Sequence, residues 1–183
     1  MSELHSTTAP LLKKVGGIPH MLTEWRPIVS FPGYSVSDTG LVRNDEVDRI
    51  MTLMRNQFGI VHVGLTKDRH QYKRAVCRLV ADAFLVPPRH ETFDTPINLD
   101  GDRCNNHVEN LLWRPRHFAT RYFAQFKLGP IQPSYGVVEV NTGQEFESSW
   151  GAALTYGLIE TDVRVASRIN SEVWPTYQRF RRI

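Results

Sequence analysis

The chain has 183 residues, 41% of them hydrophobic, with 22 Lys and Arg against 19 Asp and Glu. That is the size of one average domain or of two or three small modules, apolar enough for real cores, so wholesale disorder is excluded. Two cysteines without a CxxC pair exclude a four-cysteine zinc centre and fit a reducing compartment, and the sequence pI near 9.0 makes a polyanion a natural partner.

Residues 1–22 lack a basic start followed by an apolar core, so they read as an N-terminal arm and not as a secretory signal. No stretch approaches the roughly 18 consecutive apolar residues of a membrane span, and no membrane partner is expected. From Glu24 the text becomes turn-rich. PGY and DTG punctuate Tyr34, Val36, Leu41 and Val42, which predicts short antiparallel strands over 23–66. Ile60, His62 and Gly64 alternate with Val61, Val63 and Leu65, and KDRH supplies a hairpin turn. CRLVADAFLV then places Leu79, Val80, Ala83 and Phe84 on one helical face, and Pro87 and Pro88 stop that helix.

Asn98 to Asn106 carries too much Asp, Asn and Gly for a regular element, whereas Val108, Leu111 and Leu112 have helical spacing, with Asn106 as their cap. Asp100 and Asp102 read best as turn carboxylates that accept backbone N–H bonds. Trp25 and Trp113 read as core anchors. The next run holds Arg114, Arg116, Arg121 and Lys127 with no acid, interleaved with Phe118, Tyr122, Phe123 and Phe126. Such a run suits phosphate contact. Leu128 to Ser134 reads as a linker, which divides the chain at 67–128 and 129–183.

The last module reads as a hairpin on Asn141-Thr142-Gly143, a helix capped by Ser148 or Ser149 and ended by Gly157, a second helix capped by Thr161 or Asp162, and a closing strand. Arg164 and Arg168, four apart, share a face of the second helix, and Arg179, Arg181 and Arg182 cluster on the strand.

Three motifs, in order, resemble the phage and intron-borne HNH homing endonucleases. Glu24, Trp25, Ile28, Phe31, Tyr34, Val36, Ser37, Gly40, Val42 and Arg43 match the N-terminal nuclease-associated motif; CRLVADAF follows, and LDGDRCNNHVENLLW matches the HNH core. The final module resembles the helix-turn-helix DNA-binding repeat of the same enzymes. The resemblance implies an α+β fold, small and modular: antiparallel N-terminal strands, a ββα metal module, then a hairpin plus helix-turn-helix. It implies Mg²⁺ or Mn²⁺ if the chain is an endonuclease, and otherwise no cofactor. It also implies that Asp100, Gly101, Asn105, Asn106, Asn110 and Trp113 build the scaffold.

The chemical positions depart from the family. Aligned without a gap, Asn98 stands where the resemblance puts the general-base histidine and Ile97 at the preceding ligand; aligned with one deletion, Asn98 keeps that preceding position and the histidine is gone. Ala119 stands where the resemblance puts the helical metal ligand, and Cys77 at the first histidine of the H-R-L-V segment. A carboxamide has no usable proton affinity near neutral pH. His107 and His117 are the candidate replacements, although two residues' displacement on a helix turns His117 about 200° from the expected direction. The expectation is a protein that binds double-stranded DNA, with an inactive cleavage centre, in the cytoplasm of an infected bacterial host or associated with the virion. Two rivals stay open: a working endonuclease or nickase with relocated ligands, and a nuclease fold recruited as a subunit that binds a phage or host protein.

Overall fold

Turn chemistry and alternation shape the N-terminal half of this computed structural model, which describes residues 23–88 and 90–183; the expected arm 1–22 lies outside the described residues. Strands β1 (Trp25–Pro27), β2 (Tyr34–Ser37), β3 (Val42–Asn44) and β4 (Arg49–Ile50) form an antiparallel meander in that order. Ser37 Oγ accepts the Leu41 N–H and closes the β2–β3 turn at Gly40, whose φ of 89° suits glycine. A Cβ on Gly40 would lie 2.9 Å from the Asn106 side chain, so this turn packs directly on the later polar loop.

A second sheet joins β5 (Met54–Arg55), β6 (Val61–Lys67) and β7 (His70–Ala75). Asp68 and Arg69, at φ 52° and 62°, form the tight turn that KDRH predicts. Val63 and Leu65 point inward on one face of β6, as period-two alternation requires. Helix α1 (Val76–Phe84) buries Val76, Leu79 and Val80 against both sheets and ends at Leu85, two residues before Pro87. One core runs from Ile28 through Val63 to Leu111. The β6–β7 hairpin straddles the boundary expected at residue 66, so the first strands and α1 are one folding unit.

Strand β8 (Thr95–Asn98) pairs antiparallel with β9 (Leu111–Arg114), and α2 (Arg116–Leu128) follows: a ββα unit. Here the structure corrects the helical spacing of Val108, Leu111 and Leu112. Only one 3₁₀ turn forms, Val108–Asn110, and its cap is His107, not Asn106. Leu111 onward is extended because pairing with β8 claims its backbone, Asn98 opposite Leu111 and Thr95 opposite Arg114.

In the last unit, β10 (Val137–Glu139), β11 (Glu145–Phe146), α3 (Ser149–Thr155), α4 (Glu160–Ile169), β12 (Glu172–Val173) and β13 (Gln178–Arg182) form a sheet in the order β11-β10-β13-β12, with the two helices packed on it. Ser148 caps α3 by accepting the Gly151 N–H. Helix α4 begins earlier than expected, after Ile159, and neither Thr161 nor Asp162 caps it. Its first N–H, on Glu160, is satisfied by Gln125 Oε1 of α2 at 3.0 Å. Glu160 itself is buried and accepts from Ser149 Oγ and from the Ile131 N–H.

The expected linker is therefore held on both sides. Arg164 donates to the carbonyls of Ile131 and Pro133, and Ile159 sits in one core with Ile97, Phe118 and Tyr122. The ββα unit and the C-terminal unit are docked, not strung on a free segment.

Candidate nucleic-acid interface

A groove of about 570 Å³ opens where α1, β8 and α2 converge. Arg116, Ala119, Thr120, Phe123, Ala124 and Lys127 line it from one face of α2, as spacings of three and four dictate. Opposite them stand Ala75, Cys77 and Arg78 at the start of α1. First-turn residues of both helices reach the groove, Cys77 and Arg78 of α1 and Arg116 of α2, and neither helix has a side-chain cap or an acid in its first turn. Free N–H groups and the positive end of each helix dipole therefore favour an anion.

The cations reinforce that field. Arg78 is fixed by Asp82 at 2.9 Å and lies over the Trp113 ring at 4.9 Å. Arg103 stacks on Phe123 at 4.0 Å, and among the described residues neither it, Arg116 nor Lys127 pairs with a carboxylate. Beyond Arg103 a second groove of about 450 Å³ continues past Arg55 and Phe58. Arg103 went unnoticed as a site residue in the sequence, where the available signal was a lone cation in an otherwise acidic and amide-rich loop; Phe123 is one of the aromatics interleaved with the basic run.

The loop under this groove is held by the amides and carboxylates that the motif marks as scaffold. Asp100 accepts from the Asp102 N–H and from the side-chain amides of Asn105 and Asn110, while Asn110 Oδ1 accepts the Asp100 N–H. Asp102 accepts the Cys104 N–H. These are turn carboxylates with their lone pairs occupied, as their spacing suggests. Gly101, at φ 79°, lets the Phe126 ring press on the loop: a Cβ there would lie 2.5 Å from the ring. Burial pushes the Tyr122 phenol up, which keeps its O–H as a donor to the Leu99 carbonyl at 2.7 Å.

At the positions that the motif marks as chemical stand Asn98, Ala119 and Cys77. Asn98 is buried, and its Nδ2 donates to the Asn105 carbonyl at 2.7 Å, which leaves the carboxamide oxygen for the groove that Asn98 lines. Ile97 is packed in the core, and Ala119 offers a methyl group. Cys77 lines the groove, but burial pushes its thiol up, against the opposing backbone N–H groups and the charges of Arg103 and Arg78, so it is protonated at neutral pH.

The two candidate replacements are corrected by position. His107 spends its Nδ1 on capping the 3₁₀ turn, and His117 stacks on Trp174 with centroids 5.0 Å apart; neither lines the groove. Asp94 is the groove's single carboxylate and accepts from Thr95 Oγ1. Among the described residues no three His, Cys, Asp or Glu side chains are grouped to hold a metal. For a hard divalent cation the groove lining offers the Asp94 carboxylate and the carboxamide oxygen of Asn98.

The expected DNA-contact residues separate by environment. Arg116 and Lys127 are exposed on the groove wall. Arg114 is a correction: it is 4% exposed, and its guanidinium donates to the carbonyls of Trp113, Tyr156 and Gly157, so it clamps the C-terminal unit to the ββα unit. Arg164 is likewise tied to the Ile131 and Pro133 carbonyls and does not share a free face with Arg168. Arg121 pairs with Asp162 at 3.2 Å and Arg179 with Glu172 at 2.9 Å. Arg168, Arg181 and Arg182 are exposed, with Arg182 over the Tyr135 ring. Trp113 is core, whereas Trp25 is only half-buried beneath the Arg43 guanidinium.

No family model matches the chain. About half of it is similar to two uncharacterized HNH endonucleases of Acanthamoeba polyphaga mimivirus. One is 31% identical over 93 residues, 51% of this chain and 27% of that protein. The other is 34% identical over 88 residues, 48% of this chain and 22% of that protein. The chain thus spans about a quarter of the length of these relatives. A structure of the HNH homing endonuclease I-HmuI, described as showing DNA binding and cleavage, aligns over 87% of this chain and 98% of that one at a TM-score of 0.51 and 20% identity. The fold, mixed α+β with antiparallel sheets, is that of an HNH homing endonuclease.

Proposed function

We propose that this chain binds double-stranded DNA through an HNH homing-endonuclease fold whose cleavage centre has become a phosphate cradle that does not cut. One observation carries the reading. The groove where α1, β8 and α2 meet combines unpaired Arg103, Arg116 and Lys127 with two uncapped helix N-termini, while Asn98 and Ala119 occupy the base and ligand positions. Cleavage needs a proton acceptor for the attacking water and a stabiliser for the leaving oxygen. Asn98 supplies no such acceptor, so a water bound beside the phosphate would keep its proton. A phosphate bound there would be positioned and left intact. The exposed Arg168, Arg181 and Arg182 of the C-terminal helix pair and strand extend the same interaction along the duplex.

Incubation with supercoiled plasmid and Mg²⁺ or Mn²⁺, beside a gel-shift titration, tests this directly. The plasmid stays supercoiled. Six phosphate contacts predict a loss of roughly 10³-fold in affinity between about 50 and 200 mM salt. Nicking by the unaltered chain refutes the inactive centre; affinity that does not change over that salt range refutes the phosphate contacts. An Asn98→His, Ala119→Asn double variant is the companion sample, because it restores the two chemical groups on the same scaffold.

A further inference from the structure

The groove is built for more than a phosphate. Its floor is largely apolar, built by buried or half-buried Ile60, Ala75, Pro96 and Ala119. A backbone phosphate alone would leave that floor uncovered, since an anion gains nothing from apolar walls. We propose that the groove takes one unstacked nucleotide, with its phosphate at the Arg116 end of α2 and its base stacked on the Arg103–Phe123 pair, beside Lys127.

Size, stacking and polarity each support this. At about 570 Å³ the groove lies in the range of small-molecule sites, roughly 300–1,000 Å³. The Arg103 guanidinium carbon lies over the Phe123 ring, 4.0 Å from its centroid, and guanidinium planes are accepted platforms for nucleobases. Asn98 adds a polar contact. Its amide nitrogen is consumed by the Asn105 carbonyl, which fixes the orientation of the group, and the remaining oxygen can only accept. It can therefore take an N–H from the edge of an unpaired base, from an exocyclic amine of adenine, cytosine or guanine or from thymine N3. This goes beyond duplex binding and is measurable without a duplex.

The test uses the full chain and calorimetric titration at low salt with dAMP, dTMP, deoxyadenosine and inorganic phosphate. The expected result is that dAMP and dTMP each bind about ten-fold tighter than inorganic phosphate, the equivalent of one stacked base. Ala124 is exposed on α2, so Ala124→Trp fills the groove without removing charge. It should abolish the advantage of dAMP while inorganic phosphate binds as before. Competition separates the sources of the nucleotide. Displacement of dAMP by a duplex with one bulged adenine, at lower concentration than by the fully paired duplex, assigns the pocket to a strand; equal displacement assigns it to free nucleotides. If dAMP binds no tighter than inorganic phosphate, the pocket is overturned and duplex binding stands. If dAMP binds and the duplex does not shift, the pocket stands and the proposed function fails.

Discussion

Arg114 is where residue chemistry and residue environment disagree most sharply, which makes Arg114→Met an informative change. The substitution keeps an unbranched stem of similar length and removes a guanidinium that reaches the carbonyls of Trp113, Tyr156 and Gly157. Burial pushes this guanidinium down to about 10, with Tyr122 opposing, so it is charged at neutral pH and its desolvation is offset by those carbonyls. Hydrogen bonds to a charged group contribute about 1.5–3 kcal/mol each, and an orphaned buried carbonyl costs about 1–3 kcal/mol. With the desolvation cost recovered in the variant, a net loss of about 3 kcal/mol is expected.

For a chain of this size each kcal/mol moves Tm by roughly 2–4 °C, so calorimetry should show a fall of about 6–12 °C. Limited proteolysis should at the same time open residues 129–134, because the clamp that docks the C-terminal unit is gone. The salt dependence of DNA affinity should keep its slope, since no phosphate contact was removed. A slope shallower by about 0.9, one phosphate's share, with Tm unmoved would refute the clamp and return Arg114 to the DNA surface.

Removing Arg116 and Lys127 together should do the converse: Tm within about 2 °C of the parent, and a salt slope shallower by about 1.8, read by fluorescence anisotropy over a salt series. Glu139 is buried, which raises its pKa, but bonds from the Thr142 hydroxyl and from nearby backbone N–H groups outweigh burial and hold the carboxyl below its ordinary value near 4.5. A depressed folded value contributes stability that is present above about 4.5 and lost as pH falls through the folded value. Glu139→Gln should thus cost about 1 kcal/mol in urea melts at pH 7, with the difference from the parent vanishing in acid. Gly101→Ala forces a Cβ to within 2.5 Å of the Phe126 ring at φ 79°. It should lower the urea midpoint by the equivalent of about 3 kcal/mol, and an unchanged midpoint would mean that loop and helix are not in contact in solution.

The sequence showed most where a signal is local. KDRH makes its hairpin because Asp68 and Arg69 accept positive φ, and Asp100 makes its loop because its neighbours within ten residues satisfy it. What it hid was set by distant partners. Val108 to Leu112 looks helical until Thr95–Asn98 pairs with Leu111–Arg114, and that strand was masked by its own Pro and Asn. Thr161 and Asp162 look like caps, yet the N–H at the start of α4 is satisfied from Gln125, 35 residues earlier. Arg114 reads as one of a basic run until Gly157, 43 residues later, claims it.

The same division explains how, on the proposed reading, such a fold could outlive its chemistry. The residues that hold the loop, Asp100, Asn105 and Asn110, bond to one another and to backbone, and none lines the groove of about 570 Å³ that α1, β8 and α2 enclose. The residues at the base and ligand positions, Asn98 and Ala119, do line that groove. Asn98 still satisfies the Asn105 carbonyl, and Ala119 still packs with Phe118 and Tyr122, so neither position leaves a buried polar group unpaired or a cavity in the core. Substitutions there change what the groove can do while costing the scaffold little. The phosphate-directed features, two helix N-termini and a set of arginines and lysines, do not depend on the chemical positions and persist without them. Binding is therefore the function that this arrangement retains most readily.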